Sequence, residues 1–299
     1  MKVLVIGSEG NVARILVPYL EKVGHEVVCA DILRGYRKGF YQIDITTGVD
    51  LVRIFEKERP DVVYSLAAMV SRVAAEENPI MTINLNVSGL NNIIELCKIY
   101  NAKLISFSTS EIYGNLEGVL DEDHTIPQPN NRYGLAKYLG EQIVKYEVEN
   151  NGLRAVTLRP FMLYHENCKV GDINAAIIEF ALRLSRKEKI NVHNDSERAW
   201  LHLDDGVVAM ERAMHLDHYE IINIGTDEYI KTQDVATKMA ESFGLDINEY
   251  ANFIDLPGKM TLVKRPKLDK MYNLLKVKPT IGIEEGIERI ANSFKNSSL

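Results

Sequence analysis

The sequence predicts an α/β protein with a doubly wound parallel sheet and a second, smaller lobe. Short apolar, β-branched segments alternate with longer amphipathic segments through the first 160 residues, a pattern typical of parallel strands joined by helical crossovers. A glycine-containing loop follows the first apolar segment directly, at the position where such folds turn from a strand into a helix. After residue 160 the alternation loosens, which indicates the start of a differently built lobe.

Periodicity predicts the elements in order. In the first part, strands are predicted at 2–6, 26–30, 61–66, 103–108 and 153–158, and helices at 11–22, 48–58, 79–100 and 131–150. In the second part we predict a loop at 160–172, a helix at 173–187, strands at 189–192 and 199–203, a helix at 205–216, a strand at 220–224, and helices at 231–243 and 283–294. Pro18 lies inside the first helix and predicts a kink or an early end there.

Composition excludes several classes of protein. The chain has 299 residues and a net charge of −7, which argues against general nucleic-acid binding. No apolar run is long enough to span a membrane and no signal-peptide pattern is present, so we expect a cytoplasmic protein without membrane partners. The three cysteines fit neither a disulfide framework nor a zinc site. We predict no metal site, because His215 and His218 are better interpreted as an exposed helix end than as a metal-binding pair.

The loop after the first strand is predicted to bind a dinucleotide. It has the pattern G-x-x-G-x-x-A, in which glycine allows backbone N–H groups to approach a pyrophosphate and Ala13 allows close helix packing. Its predicted cofactor-binding residues are Gly7, Gly10, Asn11 and Val12. Asp31 ends the second strand, where an acidic side chain meets the ribose hydroxyls, and it favours NAD over NADP. Arg34 leaves NADP open, because a guanidinium could pair with a 2′-phosphate.

Tyr133 and Lys137 form the most informative pair in the sequence. Residues at i and i+4 share one helix face, so the phenol and the ammonium can point into one site. A nearby cation favours the phenolate, and we therefore expect a lowered pKa for Tyr133. With a hydroxyl from Thr109, this set suits removal of a proton from a substrate hydroxyl as hydride leaves its carbon. We predict a dinucleotide-binding domain at 1–160, to which some later segments return, and a mainly substrate-binding lobe at 161–299.

These motifs together resemble the extended short-chain dehydrogenase/reductase group, and within it the NAD-dependent sugar epimerase/dehydratase family. The resemblance implies a Rossmann fold and NAD as cofactor. It adds cofactor-binding positions at Asp44, Ile45, Leu66, Ala67, Ala68, Asn86, Ser108 and Pro160, besides Tyr133 and Lys137. It implies substrate-binding positions at Thr109, Ser110, Arg198 and Arg265, of which the two arginines would grip a nucleotide diphosphate. The helices near 79–100 and 131–150 resemble a family dimer interface, so we expect a homodimer.

The resemblance also implies a reaction. Tyr133 would take the proton of a sugar hydroxyl, normally at C4, and a 4-keto intermediate of a nucleotide-diphosphate sugar would follow. Glu111 is similar to the residue that assists dehydratases and UDP-glucuronate decarboxylases, while a 4-epimerase needs no base there. Met162 and His165 depart from the family pattern and leave the sugar undetermined. A 4-keto-sugar reductase is a further alternative.

A non-catalytic NAD-binding regulator on the same fold is the competing class. Such a protein has no need of Tyr133, Lys137 and Thr109 together, so their joint presence favours an enzyme.

Overall fold

A seven-stranded sheet forms the centre of the first of two units in this computed structural model, which describes residues 1–168, 176–255 and 263–296. The first unit comprises residues 1–114, 126–160 and 207–222, and the second comprises 115–125, 161–206 and 223–299. The strands in the described ranges are β1 (Lys2–Ile6), β2 (Glu26–Asp31), β3 (Tyr41–Gln42), β4 (Val62–Ser65), β5 (Lys103–Phe107), β6 (Val119–Leu120), β7 (Ala155–Pro160), β8 (Met162–Tyr164), β9 (Ile190–His193), β10 (Glu197–His202), β11 (Ile221–Ile224), β12 (Tyr229–Lys231), β13 (Ala251–Ile254) and β14 (Val263–Pro266).

The helices flank these strands. The helices in the described ranges are α1 (Asn11–Lys22), α2 (Gly48–Glu58), α3 (Arg72–Glu77), α4 (Pro79–Ile83), α5 (Leu90–Tyr100), α6 (Arg132–Asn151), α7 (Ala176–Ser185), α8 (Leu203–Ala213), α9 (Thr232–Ser242), α10 (Ile247–Tyr250), α11 (Asp269–Asn273) and α12 (Ile283–Asn296). A π-helical segment, Asn84–Gly89, joins α4 to α5, and a short 3₁₀ helix, Ser110–Tyr113, follows β5. Among these described helices, none has the length and apolar character needed to cross a bilayer.

The strand order of the large sheet is β11-β7-β5-β4-β1-β2-β3, and the neighbours from β3 to β7 are parallel. The chain moves from β1 outward to β3 and then restarts at β4 on the other side of β1. This reversal confirms the predicted doubly wound sheet. It also opens a crevice at the carboxyl ends of β1 and β4, where ligands bind in such folds.

The core of the first unit lies between this sheet and its helices. Buried residues of β1, β4 and β5 pack against α2, α5 and α6 in one apolar cluster, which includes Leu4, Val63, Leu104, Phe55 and Val144. The helices are amphipathic and bury the stripe that faces the sheet. In α1 that stripe is Leu16, Val17 and Leu20. It holds the helix together as far as Lys22, so an early end at the exposed Pro18 was a wrong alternative.

The second unit has smaller sheets and its own helical core. Its larger sheet has the order β12-β10-β14-β6, with β8 pairing to β10, and a second sheet joins β13 to β9. Helices α7, α9 and α12 pack on one another through buried aliphatic side chains, among them Ile178, Val235 and Ile287.

Most predicted elements are present with small shifts of their ends. The predicted loop at 160–172 contains β8, and α3 was not predicted at all. Residues 169–175, which include the start of the predicted helix at 173–187, lie outside the described residues. The two-residue strands β3 and β6 were also missed, because they are too short to show periodicity.

Candidate active site

The glycine loop lies at the crevice between β1 and β4. Gly7 has a φ of +90°, and a Cβ there would lie 2.5 Å from the backbone nitrogen of Ala67. Its N–H donates to the carbonyl of Ala30 over 2.8 Å, and Leu66 and Ala67 donate to the carbonyl of Ile6. Only glycine fits a position with both this conformation and this contact. The loop is therefore held against the ends of three strands.

The start of α1 has a glycine at its N-cap. Gly10 has no side chain and so adds no cap to the first turn, where the predicted positions Asn11 and Val12 lie, and the start of a helix favours an anion. Asp31 is 8% exposed at the end of β2, and its carboxylate accepts hydrogen bonds from the backbone N–H groups of Glu9 and Leu33, each over 2.9 Å. The predicted loop and the predicted acidic residue are thus brought together.

The other predicted cofactor positions flank the same strands. Asn86 is buried in the π-helical segment. Its Oδ1 accepts the N–H of Met69 over 2.8 Å, and its Nδ2 donates to the carbonyl of Met69 over 3.0 Å. Ala68 follows β4, Ile45 is buried against Gly89, and Asp44 accepts from the N–H and the hydroxyl of Thr46. Asn86 therefore fixes the loop that follows β4.

Helix α6 begins where its first turn can contact the 3₁₀ helix. Asn131 is the N-cap, and its Oδ1 accepts the N–H of Gly134 over 2.8 Å. A Cβ on Gly134 would lie 2.7 Å from the carbonyl oxygen of Glu111, so glycine permits the approach. Tyr133 is 9% exposed, and the Thr109 hydroxyl lies close enough to lower the pKa of the phenol. The structure therefore brings Tyr133 and Thr109 together.

Tyr133 is buried and Lys137 is half-buried, and desolvation dominates the pKa shift of each. Burial raises the pKa of Tyr133 to about 12, although the nearby Thr109 hydroxyl opposes the rise. Burial lowers the pKa of Lys137 to about 8. Lys137 donates from Nζ to the carbonyl of Phe107 over 2.8 Å. The expectation of a lowered pKa for Tyr133 was therefore wrong for the protein's own residues, because the ammonium is directed to a backbone carbonyl and desolvation outweighs any attraction.

Glu111 is held by two donors. Its Oε2 accepts from Nδ2 of Asn131 over 3.1 Å and lies 3.4 Å from Nη1 of Arg72. Arg72 begins α3, and sequence reasoning missed it because six residues are too few to show helical periodicity. The Ser71 cap, which accepts from the N–H of Ala74, was the available signal. Ser110, beside Glu111, is buried in the 3₁₀ helix.

A buried ion pair fixes the framework around these residues. Arg159 donates from Nε to Glu141 over 3.0 Å, donates again from Nη2 to the same carboxylate, and donates from Nη1 to the hydroxyl of Tyr113 over 2.7 Å. Burial disfavours the charged guanidinium, but Glu141 outweighs it and raises the pKa of Arg159. This network joins β7, α6 and the 3₁₀ helix. Pro160 follows Arg159 at the end of β7.

In the second unit, the two predicted diphosphate ligands lie on neighbouring strands. Arg198 is on β10 and Arg265 on β14, which pair in parallel. Arg265 donates to Oε1 of Glu197 from Nε and Nη2, over 2.9 and 2.7 Å. Arg198 donates to the carbonyl of Glu197 over 2.8 Å. Trp200, on the same strand as Arg198, is 2% exposed and belongs to the core of this unit.

The first unit fits a bound dinucleotide. Gly7 permits the tight turn, and Gly10 places no side chain at the start of α1, where the backbone of a helix favours a pyrophosphate. Ser108, a predicted cofactor position, is 4% exposed, and its Oγ has no hydrogen-bond partner among the described residues. An unpartnered buried hydroxyl is uncommon and fits a polar contact to a ligand.

Comparison with known proteins agrees with this geometry. The chain is 30% identical to the UDP-glucuronate 4-epimerase of Thermodesulfobacterium geofontis over 267 residues, covering 86% of this chain and 80% of that relative. Its structure is similar to those of two UDP-glucose 4-epimerases, each 25% identical. The Thermotoga maritima enzyme with UDP-glucose has a TM-score of 0.92 with all of both chains covered, and the Thermus thermophilus enzyme with NAD has a TM-score of 0.90 with 99% and 100% covered. The model of the NAD-dependent epimerase/dehydratase family matches residues 3–225, and the chain therefore belongs to that family of NAD-dependent enzymes.

Proposed function

We propose that this enzyme interconverts nucleotide-diphosphate sugars by oxidising the hexose at C4 to a 4-keto intermediate, and that 4-epimerisation is the net reaction. The observation that carries the proposal is the buried hydroxyl pair of Tyr133 and Thr109, with Lys137 one helical turn away. The names of the similar proteins, which are 4-epimerases of UDP-sugars, support the substrate class and the reaction.

Each candidate residue has a role that follows from its chemistry. NAD, when bound, supplies the hydride acceptor. Tyr133 takes the proton from the sugar hydroxyl, and Thr109 holds that hydroxyl by hydrogen bonding. Lys137, with a pKa of about 8, is mostly charged at neutral pH and helps to balance the phenolate. Because Tyr133 has a pKa of about 12 in the protein alone, its activation depends on positive charge brought by the ligands.

The remaining assignments follow the two units. We assign cofactor binding to the first unit and sugar-nucleotide binding mainly to the second. The proposed cofactor-binding set is Gly7, Gly10, Asn11, Val12, Asp31, Asp44, Ile45, Leu66, Ala67, Ala68, Asn86, Ser108, Tyr133, Lys137 and Pro160. The proposed substrate-binding set is Thr109, Ser110, Arg198 and Arg265.

The position of Glu111 supports a second candidate reaction. It lies at the same turn as Thr109 and contacts the N-cap residue of α6. From a 4-keto intermediate, a carboxylate here could remove the acidified C5 proton as water leaves C6, or position a uronate for loss of CO₂. The second candidate is therefore a dehydratase or decarboxylase acting through the same intermediate.

We also propose that the enzyme is a homodimer. Helices α4 and α6 expose apolar side chains, including Ile80 at 77%, Met81 at 51% and Leu135 at 45%. A second copy packing on this face would bury them. Light scattering should show a dimer that Ile80→Asp dissociates, while Val49→Asp, at an exposed apolar position on α2, leaves it intact.

Product analysis tests the proposed reaction. The purified protein is incubated separately with UDP-glucose, UDP-glucuronate and dTDP-glucose, and products are resolved by chromatography and mass spectrometry. We expect a product of unchanged mass with inverted C4 configuration from one of the UDP-sugars. Loss of water or CO₂ would favour the second candidate. Retention of every sugar unchanged by a protein that still binds NAD would contradict both.

A further inference from the structure

A group of metal-ligating side chains lies in the first unit away from the proposed active site. His25, Glu211 and His215 each direct one ligand atom into a common space, and these atoms all lie within 4.8 Å of one another. Nε2 of His215 lies 2.8 Å from Oε1 of Glu211, and Nε2 of His25 lies 3.5 Å from the same oxygen. Two imidazoles thus converge on one carboxylate oxygen.

These separations match the coordination sphere of a small divalent cation. Tetrahedral Zn²⁺ with bonds of about 2.0–2.1 Å to nitrogen and oxygen places its ligand atoms about 3.3 Å apart. The two nitrogen–oxygen distances lie on either side of that value. The side chains of His25 and Glu211 are 9% and 12% exposed, while that of His215 is 49% exposed. The surrounding residues therefore hold His25 and Glu211 in place, whereas the exposed side chain of His215 allows an ion and a water molecule to enter from solvent.

The group lies beside the amino end of strand β2, whereas the glycine loop lies at the carboxyl ends of the strands. His25 precedes β2, whereas Asp31 ends the same strand beside the loop. Glu211 lies near the end of α8, and His215 follows that helix. An ion here would join the turn before β2 to the end of α8 and would not touch Tyr133 or Thr109.

A second histidine cluster shows why the first is suited to a metal. In the second unit, Nδ1 of His165 accepts the N–H of Asn167 and Nδ1 of His202 accepts the N–H of Asp204, over 3.0 and 3.2 Å. Each neutral ring must then carry its proton on Nε2 and donate it to a carboxylate, Asp204 and Glu166 respectively. Both nitrogens of each ring are thereby occupied.

The tautomer of His25 is not fixed in this way. Its Nδ1 is buried and has no hydrogen-bond partner among the described residues. No backbone donor therefore forces the ring proton onto Nε2, and coordination of an ion through Nε2 would place that proton on Nδ1. The other oxygen of that carboxylate, Oε2, lies 3.8 Å from Arg212.

We propose that His25, Glu211 and His215 form a structural binding site for a divalent transition-metal ion of the Zn²⁺ class, completed by water. Two imidazoles and one carboxylate suit Zn²⁺ better than Ca²⁺ or Mg²⁺, which prefer oxygen ligands. The proposed site differs from the expectation from sequence of no metal site, in which His215 was considered only with His218. His218 instead pairs with Asp217 and Glu220.

Metal titration of the purified full-length protein tests this proposal. Zn²⁺ alone is the probe, with calorimetry for stoichiometry and thermal unfolding for stability, after treatment with a chelator. We expect one saturable site and a rise in Tm of roughly 5 °C at saturation. His25→Ala and His215→Ala should each abolish that rise, and acidification should weaken binding because both imidazoles must be neutral.

Matched controls separate this site from unspecific histidine binding. His218→Ala removes a neighbouring exposed histidine and should leave both the stoichiometry and the Tm rise unchanged. Glu211→Gln keeps the side-chain size, so a folded variant with weakened binding would confirm the carboxylate's role. Circular dichroism of each variant without metal shows whether it is folded. A Tm rise that persists in the His25→Ala and Glu211→Gln variants, or no binding by the unmodified protein, would overturn the proposal.

Discussion

The two units hold their candidate residues in different ways. In the first unit, the side chains of Tyr133 and Thr109 lie together, and the α6 N-cap Asn131 donates to Glu111. In the second, Arg265 is bound by Glu197 of the neighbouring strand. The first arrangement positions the candidate base without a ligand, although the proposed activation of Tyr133 still requires ligand charge. The proposed diphosphate role of Arg265 instead requires this arginine to exchange a carboxylate partner for a phosphate. The candidate groups for proton transfer are therefore in position before the ligands bind, whereas the proposed recognition of the diphosphate depends on a change of partner.

Removing the Tyr133 hydroxyl tests the first half of this comparison and should have the largest effect. Tyr133→Phe preserves the buried ring but removes the base, so kcat should fall by roughly 10²–10⁴-fold while the protein still binds NAD through the rest of the proposed cofactor-binding set. Turnover and NAD retention are measured on the same preparation. Tyr138→Phe, five residues later on α6, is the matched control and should retain activity. Normal turnover by Tyr133→Phe would contradict the proposed role of Tyr133 as the base.

Arg198 and Arg265 test the second half of this comparison, the proposed binding of the diphosphate by the second unit. Arg198→Ala or Arg265→Ala should raise KM for the sugar nucleotide about 10–100-fold with a smaller change in kcat, because charged hydrogen bonds to the diphosphate are lost. Steady-state kinetics provides both constants. Arg183→Ala, which removes an exposed ion pair with Glu179 on α7, should change neither. An unchanged KM in both site variants would exclude these arginines as diphosphate ligands.

Glu111→Gln distinguishes the two candidate reactions of the first unit, epimerisation and dehydration or decarboxylation. The amide can still accept from Asn131, so the local structure should persist. An epimerase needs no base at this position, and we expect kcat to remain within about tenfold of the unmodified enzyme. Product analysis and kcat are measured together. A loss of about 10²-fold or more would instead identify Glu111 as a base, as in the second candidate reaction.

Much of the first unit could be predicted because its signals are local. The turn at Gly7 and the i, i+4 spacing of Tyr133 and Lys137 are encoded within a few residues, and they place the cofactor loop and the candidate base. Contacts between distant segments could not be predicted in this way. Arg72 with Glu111, Arg159 with Glu141, and His25 with Glu211 each join residues far apart in sequence.

The pKa of Tyr133 shows a different limit. Spacing correctly places Lys137 one turn away, but a sequence gives no measure of desolvation. The shift is set mainly by burial, to which the nearby charge of Glu111 adds, and its direction is opposite to the one expected.

The pH dependence of stability tests the burial of Lys137 and should be the smallest effect. Its pKa is lowered to about 8, so between about pH 8 and 10 this side chain binds more protons in the unfolded chain than in the folded one. The contribution of Lys137 to the free energy of unfolding should therefore rise with pH in this interval, by up to about 3 kcal/mol. Denaturant unfolding should show a smaller rise for Lys137→Met, and an unchanged rise for Lys145→Met on the exposed face of α6. Equal slopes for Lys137→Met and the unmodified protein would contradict its burial as an ammonium.

Isotope tracing tests the central claim, oxidation at C4, most directly. The enzyme is supplied with a UDP-sugar carrying deuterium at C4, and the label is followed in the product, the cofactor and the solvent. Hydride transfer to NAD and back predicts that deuterium stays in the product or on the nicotinamide and that none reaches water. Release of the label to solvent during turnover would contradict the account.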